Sequence, residues 1–142
     1  MLQLGTITYN IAKDWDLPTI LKRLEAQDLT AGREVSSPDA PPRTEYTLTE
    51  AGQQRLNQWL DEPLPSPSVR RIRVDFLSRL YVAHLLKRPT DSIIARQRLT
   101  CRQRYQELVA ERDRTQTGIA ALALELMLAQ YGAILVWLDT CE

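Results

Sequence analysis

Apolar residues recur along most of this chain at helical spacing, and the stretches where that spacing fails mark the joints. Leu17, Ile20, Leu21 and Leu24 fall one turn apart behind Asp16, a residue type that caps helix starts, with Pro18 in the first turn. This predicts a helix over residues 17–27. The fifteen residues before it give mixed signals: Ile7, Tyr9 and Ile11 alternate as in a strand, while Ile11-Ala12 could open a helix.

After the helix come two short extended runs, Leu29 to Val35 and Arg43 to Leu48, around a Ser/Pro/Asp-rich tip from Ser36 to Pro42. That order predicts a β-hairpin with a long loop. A second helix follows through Leu56, Trp59 and Leu60. Thr47 stands three residues before Glu50, the capping-box arrangement, and Thr49 competes for the same role. The helix must stop before Pro63-Leu64-Pro65-Ser66-Pro67, because proline lacks the backbone donor and disfavours helix in the residue before it. This segment is expected to divide the chain into a head, residues 1–62, a linker, 63–67, and a helical module, 68–142.

Three longer helical patterns occupy that module. The first runs from Ser68 to about Lys87, with Val69, Ile72, Phe76, Leu80 and His84 on one stripe. The second starts after Pro89-Thr90-Asp91 and carries Ile94, Cys101, Tyr105 and Leu108. The third, from about Gly118 to Thr140, is apolar over a wider arc that includes Ile119, Leu122, Ala123, Leu126, Met127, Ala133, Ile134, Trp137 and Leu138. So broad an arc calls for more than one packing partner, and a second copy of the chain would supply it. The expected interface residues are Leu122, Leu126, Ile134, Trp137 and Leu138. Glu125, Gln130 and Gly132 interrupt this apolar stretch, so no membrane span is expected, and the first residues lack the charged-then-apolar layout of an export signal.

Composition narrows the chemistry. With two cysteines, Cys101 and Cys141, and one histidine, His84, the chain has no structural-zinc or disulfide-framework spacing, which suggests a reducing, cytoplasmic setting without metal or cofactor. No nucleophile, base and orienting group come together in the sequence, and its five glycines form no phosphate loop, so no catalytic residues are assigned and an enzyme is not expected. His84 is expected to be packed and hydrogen-bonded on its stripe. Trp15, Trp59 and Trp137 suit core or interface positions, and Trp137 or Tyr105 could line a ligand pocket at a dimer seam.

Formal charge is zero overall but uneven: residues 1–65 sum to −4 and residues 66–142 to +4. An acidic front half runs against phosphate binding. In the basic half, Arg70, Arg71, Arg73, Arg96, Arg98, Arg102 and Arg104 are expected mainly to pair with carboxylates such as Glu107, Glu111 and Asp113.

Helix, hairpin and capped helix in that order suit a winged helix, in which one helix enters the major groove and the hairpin lies beside the backbone. Thr19, Lys22 and Arg23 on the helix and Arg33 and Arg43 on the wing are then the candidate contacts to DNA. Taken alone, Lys22, Arg23 and Glu25 read equally as an ordinary solvated face.

Three runs carry a more specific likeness: Leu21-Lys22-Arg23-Leu24-Glu25-Ala26-Gln27-Asp28-Leu29; Pro41-Pro42-Arg43-Thr44-Glu45-Tyr46-Thr47-Leu48-Thr49-Glu50-Ala51-Gly52; and Trp59-Leu60 with Pro63. They resemble the PadR family of bacterial transcriptional regulators, with Asp28 where that family usually has glycine. Arg73 to Leu77, Leu80-Tyr81 and the closing Trp137-Leu138-Asp139 look like the helical arm of one PadR subgroup. The resemblance implies a mainly α fold with a small β-hairpin, a partial winged helix-turn-helix joined to a long antiparallel helical dimerisation arm. It further implies a homodimer that binds double-stranded operator DNA, usually as a repressor relieved by a small molecule, here a small aromatic effector. The family places two helices ahead of the recognition helix, and the stretch before Leu17 is too short for both. The alternative is a helical dimerisation or adaptor protein derived from such a regulator that no longer binds DNA.

Overall fold

The computed structural model describes residues 16–38, 40–115 and 117–141. The alternation expected around Ile7 to Ile11, and Trp15, fall outside them. The elements are α1 (Leu17–Ala26), β1 (Thr30–Ser37), β2 (Ala40–Leu48), α2 (Glu50–Leu60), α3 (Val69–Arg71), a π-helical turn (Ile72–Phe76), α4 (Leu77–Leu85), α5 (Asp91–Arg114) and α6 (Ile119–Asp139). The fold is mainly α with one antiparallel hairpin. Its contacts divide between Gln58 and Trp59, inside α2, into a front unit and a helical arm.

In the front unit, Asp16 caps α1 by accepting from the Thr19 backbone amide at 2.9 Å, and Pro18 stands in the first turn. That hydrogen bond holds the Asp16 carboxyl below the usual carboxylate range. The chain leaves α1 through Asp28, whose φ of 56° lies in the left-handed region. This is the position where the resemblance led one to expect glycine, the residue for which that conformation is free of a Cβ clash.

The hairpin is longer than its sequence suggested. β1 and β2 pair from Thr30↔Leu48 to Val35↔Arg43 and again at Ser37↔Ala40. The irregularity between the last two pairs sets Ser36 against Pro41 and Pro42, so residues expected in a loop are absorbed as a bulge in an edge strand, where proline is tolerated.

Of the two candidate caps for α2, Thr49 takes the position. Its Oγ1 accepts from the Gly52 amide at 3.0 Å and donates to the Asp28 carbonyl, while its amide donates to Leu29 O at 3.2 Å. Thr49 therefore ties the start of α2 to the end of α1.

The arm centres on α5 and α6, which follow one another in the chain. They run antiparallel: Arg98, near the start of α5, reaches the end of α6, with Nη2 donating to Leu138 O at 3.2 Å and Nε 3.0 Å from the Asp139 carboxylate. Ile94, Gln97, Cys101 and Leu108 of α5 and Leu124, Leu128, Tyr131 and Leu138 of α6 are buried. Both sets step by three, four and seven, the spacing of a bundle seam. Gln97, not anticipated as core, donates to Ser66 O at 3.1 Å, and the Tyr131 hydroxyl donates to Pro67 O at 2.7 Å. Two buried side chains thus pin the proline-rich segment onto the arm.

On α4 and the turn before it the buried positions are Ile72, Phe76, Arg79 and Ala83, and His84 is exposed, correcting its expected place in the core. The buried Arg79 has its guanidinium 5.6 Å from the centre of the Trp59 ring and 3.8 Å from Glu62. α4 ends on Lys87, also left-handed at φ 52°, with the Arg88 amide reaching back to Ala83 O.

Of the arginines expected to pair with carboxylates, Arg104 meets Glu107 as anticipated, while Arg71, Arg96 and Arg98 meet Asp75, Asp61 and Asp139 instead; Arg112 pairs with Asp113 and Arg88 with Asp61. α6 runs unbroken through Glu125, Gln130 and Gly132, as the helix expected there does. By length and composition α6 is able to cross a membrane, the one such helix among the described residues.

Candidate nucleic-acid interface

The candidate DNA contacts are distributed over α1 and the hairpin. On α1, Lys22 and Arg23 are exposed and Thr19 is half-buried, with its amide engaged by the Asp16 cap. The helix has no fully buried residue; Ile20, Leu21 and Leu24 are half-buried on its other side. The same amphipathic spacing that defines the helix thus keeps the two cations on the solvent side.

The hairpin is held to α1 by Glu25, whose Oε1 accepts from the Gly32 amide at 2.9 Å. A Cβ at Gly32 would stand 3.0 Å from that oxygen, 3.1 Å from Thr44 and 3.1 Å from Tyr46, so this side of the ribbon packs toward α1. Side chains alternate along a strand, and directly paired residues share a face. Arg33, paired with Glu45, and Arg43, two residues before Glu45 on β2, therefore lie together on the opposite, outward face. All three are exposed. Sequence reasoning named both arginines but missed Glu45, which neighbours Arg43 by strand alternation and Arg33 through the strand register.

The expected dimer residues separate into two groups. Leu122 and Leu126 are strongly exposed, Trp137 is 38% exposed and Ile134 is half-buried. Leu138 is completely buried and belongs to the arm's own seam, so it is corrected from an interface residue to an internal one. Trp137 also meets the Phe76 ring edge-on at a centroid distance of 5.9 Å.

A groove of about 380 Å³ lies among Ser66, Pro67, Ser68, Val69, Arg104, Met127, Gln130 and Tyr131. Neither Trp137 nor Tyr105, the aromatics expected to line a ligand pocket, is among its walls. No group of His, Cys, Asp and Glu suited to a metal ion occurs among the described residues.

Comparison with known proteins places the front unit. Among solved structures, the chain is similar to Bacillus subtilis PadR in complex with operator DNA, at 18% identity over 94% of this chain and 82% of that one, with a TM-score of 0.42. It is also similar to smu.1604c from Streptococcus mutans UA159, at 18% identity over 93% and 79%, with a TM-score of 0.40. No curated protein sequence matches it. The model of the transcriptional regulator PadR-like family matches residues 16–58. Those residues span α1, the hairpin and all but the last two residues of α2, so the front unit carries the chain's likeness to the transcriptional regulator PadR-like family.

Proposed function

We propose that the chain is a homodimeric, cytoplasmic repressor that reads a double-stranded operator with α1 and steadies itself on the DNA backbone with the hairpin. The observation that carries this reading is the coincidence of the PadR-like match with the unit that presents Lys22 and Arg23 on α1 and Arg33 and Arg43 on the wing. In this reading Thr19, Lys22 and Arg23 face the major groove, and the wing arginines meet phosphates. The head is taken as residues 1–62, residues 63–67 as the link, and residues 68–142 as the dimerisation arm.

The second copy covers the outward face of α6, through Leu122, Leu126, Ile134 and Trp137. A protein partner suits this face better than lipid, because α6 is seamed to α5, whose Arg96, Arg98, Arg104 and Arg112 could not enter hydrocarbon cheaply. A small aromatic effector that relieves repression completes the proposal. Tryptophan fluorescence that stays unmoved across a panel of aromatic ligands would count against that last part.

The test is binding of a labelled fragment of the gene's own promoter, against scrambled DNA, at two salt concentrations. Preference for the promoter that weakens with salt supports operator reading. A folded dimer with no preference even at low salt favours the second reading, a helical adaptor that has lost DNA binding. That reading has its own support: among the described residues of the front unit no large apolar side chain is fully buried.

A further inference from the structure

The outward face of the wing carries its own competitor for phosphate. Arg43 donates to the same Glu45 oxygen through Nη2 at 2.7 Å and Nε at 3.1 Å. Arg33 is the direct cross-strand partner of Glu45, on the same face. One carboxylate therefore stands between the two cations assigned to the DNA backbone. Side-chain exposure is 69% for Arg43 and 52% for Glu45, so the pair is open to a passing phosphate.

We propose that Glu45 is an intramolecular brake on DNA binding, an anion that occupies Arg43, shields Arg33 and lowers the affinity of the wing for any duplex. The inference rests on the reading that the wing meets phosphates. A phosphate oxygen and a carboxylate oxygen are alternative acceptors for one guanidinium, and both form the same charge-assisted bonds. Docking on a duplex requires Arg43 to exchange Glu45 for phosphate, and the released carboxylate then repels the strand beside it. The cost appears twice, in affinity and in the number of cations the wing contributes to counterion release. The acidic balance of the front half thus acquires a local meaning at this face.

Glu34 supplies the control. It is exposed on β1 and pairs with Thr44, on the face that includes Gly32 and Tyr46. Glu34→Gln removes the same charge from the same hairpin without touching the arginine face.

The experiment compares full-length wild type, Glu45→Gln, Glu34→Gln, Arg43→Gln and the Arg43→Gln/Glu45→Gln double variant on promoter and scrambled duplexes across a salt series. Glu45→Gln is expected to tighten binding to both duplexes about two- to five-fold at low salt, as for release of one exposed ion pair. It should also steepen the dependence of log K on log salt by about one. Glu34→Gln should change both quantities less, and Arg43→Gln should remove most of the gain from Glu45→Gln. Equal effects of Glu45→Gln and Glu34→Gln would overturn the brake, since net charge alone would then account for the change. If wild type binds, Arg43→Gln weakens it and Glu45→Gln leaves it unchanged, the brake fails while the wing contact stands. If no variant binds duplex at the lowest salt, both the brake and the DNA reading fail.

Discussion

Gly52 on α2 packs against the backbone carbonyl of Leu29, so closely that a Cβ at this position would come within 1.9 Å of the oxygen. That same oxygen accepts the Thr49 amide. The contact lies at the centre of the short segment joining α1, the hairpin and α2, and backbone on both sides leaves no soft side chain to move aside. Gly52→Ala is therefore expected to destabilise the front unit by at least about 2 kcal/mol. Gly132, in the middle of α6, meets nothing within 4 Å, and Gly132→Ala should stabilise the arm by roughly 0.5–1 kcal/mol through helix propensity. Urea denaturation of both variants checks the contrast; a neutral Gly52→Ala would mean that the Leu29 contact is not tight in solution.

Two residues with a Cβ hold left-handed backbone at helix ends, Asp28 after α1 and Lys87 after α4. Asp28→Gly and Lys87→Gly should each raise stability by about 0.5–1 kcal/mol, the reverse of the usual glycine penalty, because relief of the left-handed strain exceeds the added chain entropy. A loss of stability on either substitution, read from the denaturation midpoint at unchanged slope, would contradict the assigned conformation.

Burial pushes the Cys101 thiol up, and it does the same to the Tyr131 hydroxyl. For a thiol raised in the folded state, the unfolded chain ionises first. The associated stability is thus intact below the unfolded value and falls as pH rises above roughly 8.5. The arm should lose stability as pH rises above about 8.5, and Cys101→Ala should flatten part of that slope in pH-dependent denaturation. An unchanged slope would assign the alkaline loss to other groups.

The two faces of α6 predict opposite responses. Leu128 is buried in the seam with α5, and Leu128→Ala should cost about 2–4 kcal/mol of stability whatever the oligomeric state. Leu126 is 62% exposed, so Leu126→Glu should leave the folded arm intact while weakening self-association at least tenfold. Sedimentation across a concentration series separates the two. Unchanged mass for Leu126→Glu would remove this face from the proposed dimer.

If Lys22 touches DNA through phosphate, Lys22→Ala should weaken promoter and scrambled duplexes alike and reduce the salt slope by about one. Loss of promoter preference at constant slope would instead assign Lys22 to a base edge.

Periodicity, capping and proline punctuation made α1, the hairpin strands, α2 and the three arm helices legible from residues alone, because each signal is local: Asp16 and Thr49 cap the chain immediately after them, and Pro63 stops the helix just before it. The runs around Leu21–Leu29 and Pro41–Gly52 carried the family likeness for the same reason, since the turn at Asp28 and the cap at Thr49 lie within them. Tertiary structure alone decided which apolar face was used. On α6 both faces are hydrophobic, and only packing against α5 selected Leu124, Leu128, Tyr131 and Leu138 while leaving Leu122 and Leu126 outward. On α4 the buried place expected for His84 went to other residues, with Arg79 buried beneath Trp59. The setting of Glu45 between Arg33 and Arg43 likewise depended on strand register, which pairs residues twelve apart in sequence. A chain reports its own periodicity residue by residue, but which of two equivalent faces is buried, and which charges meet, is a property of its partners in space.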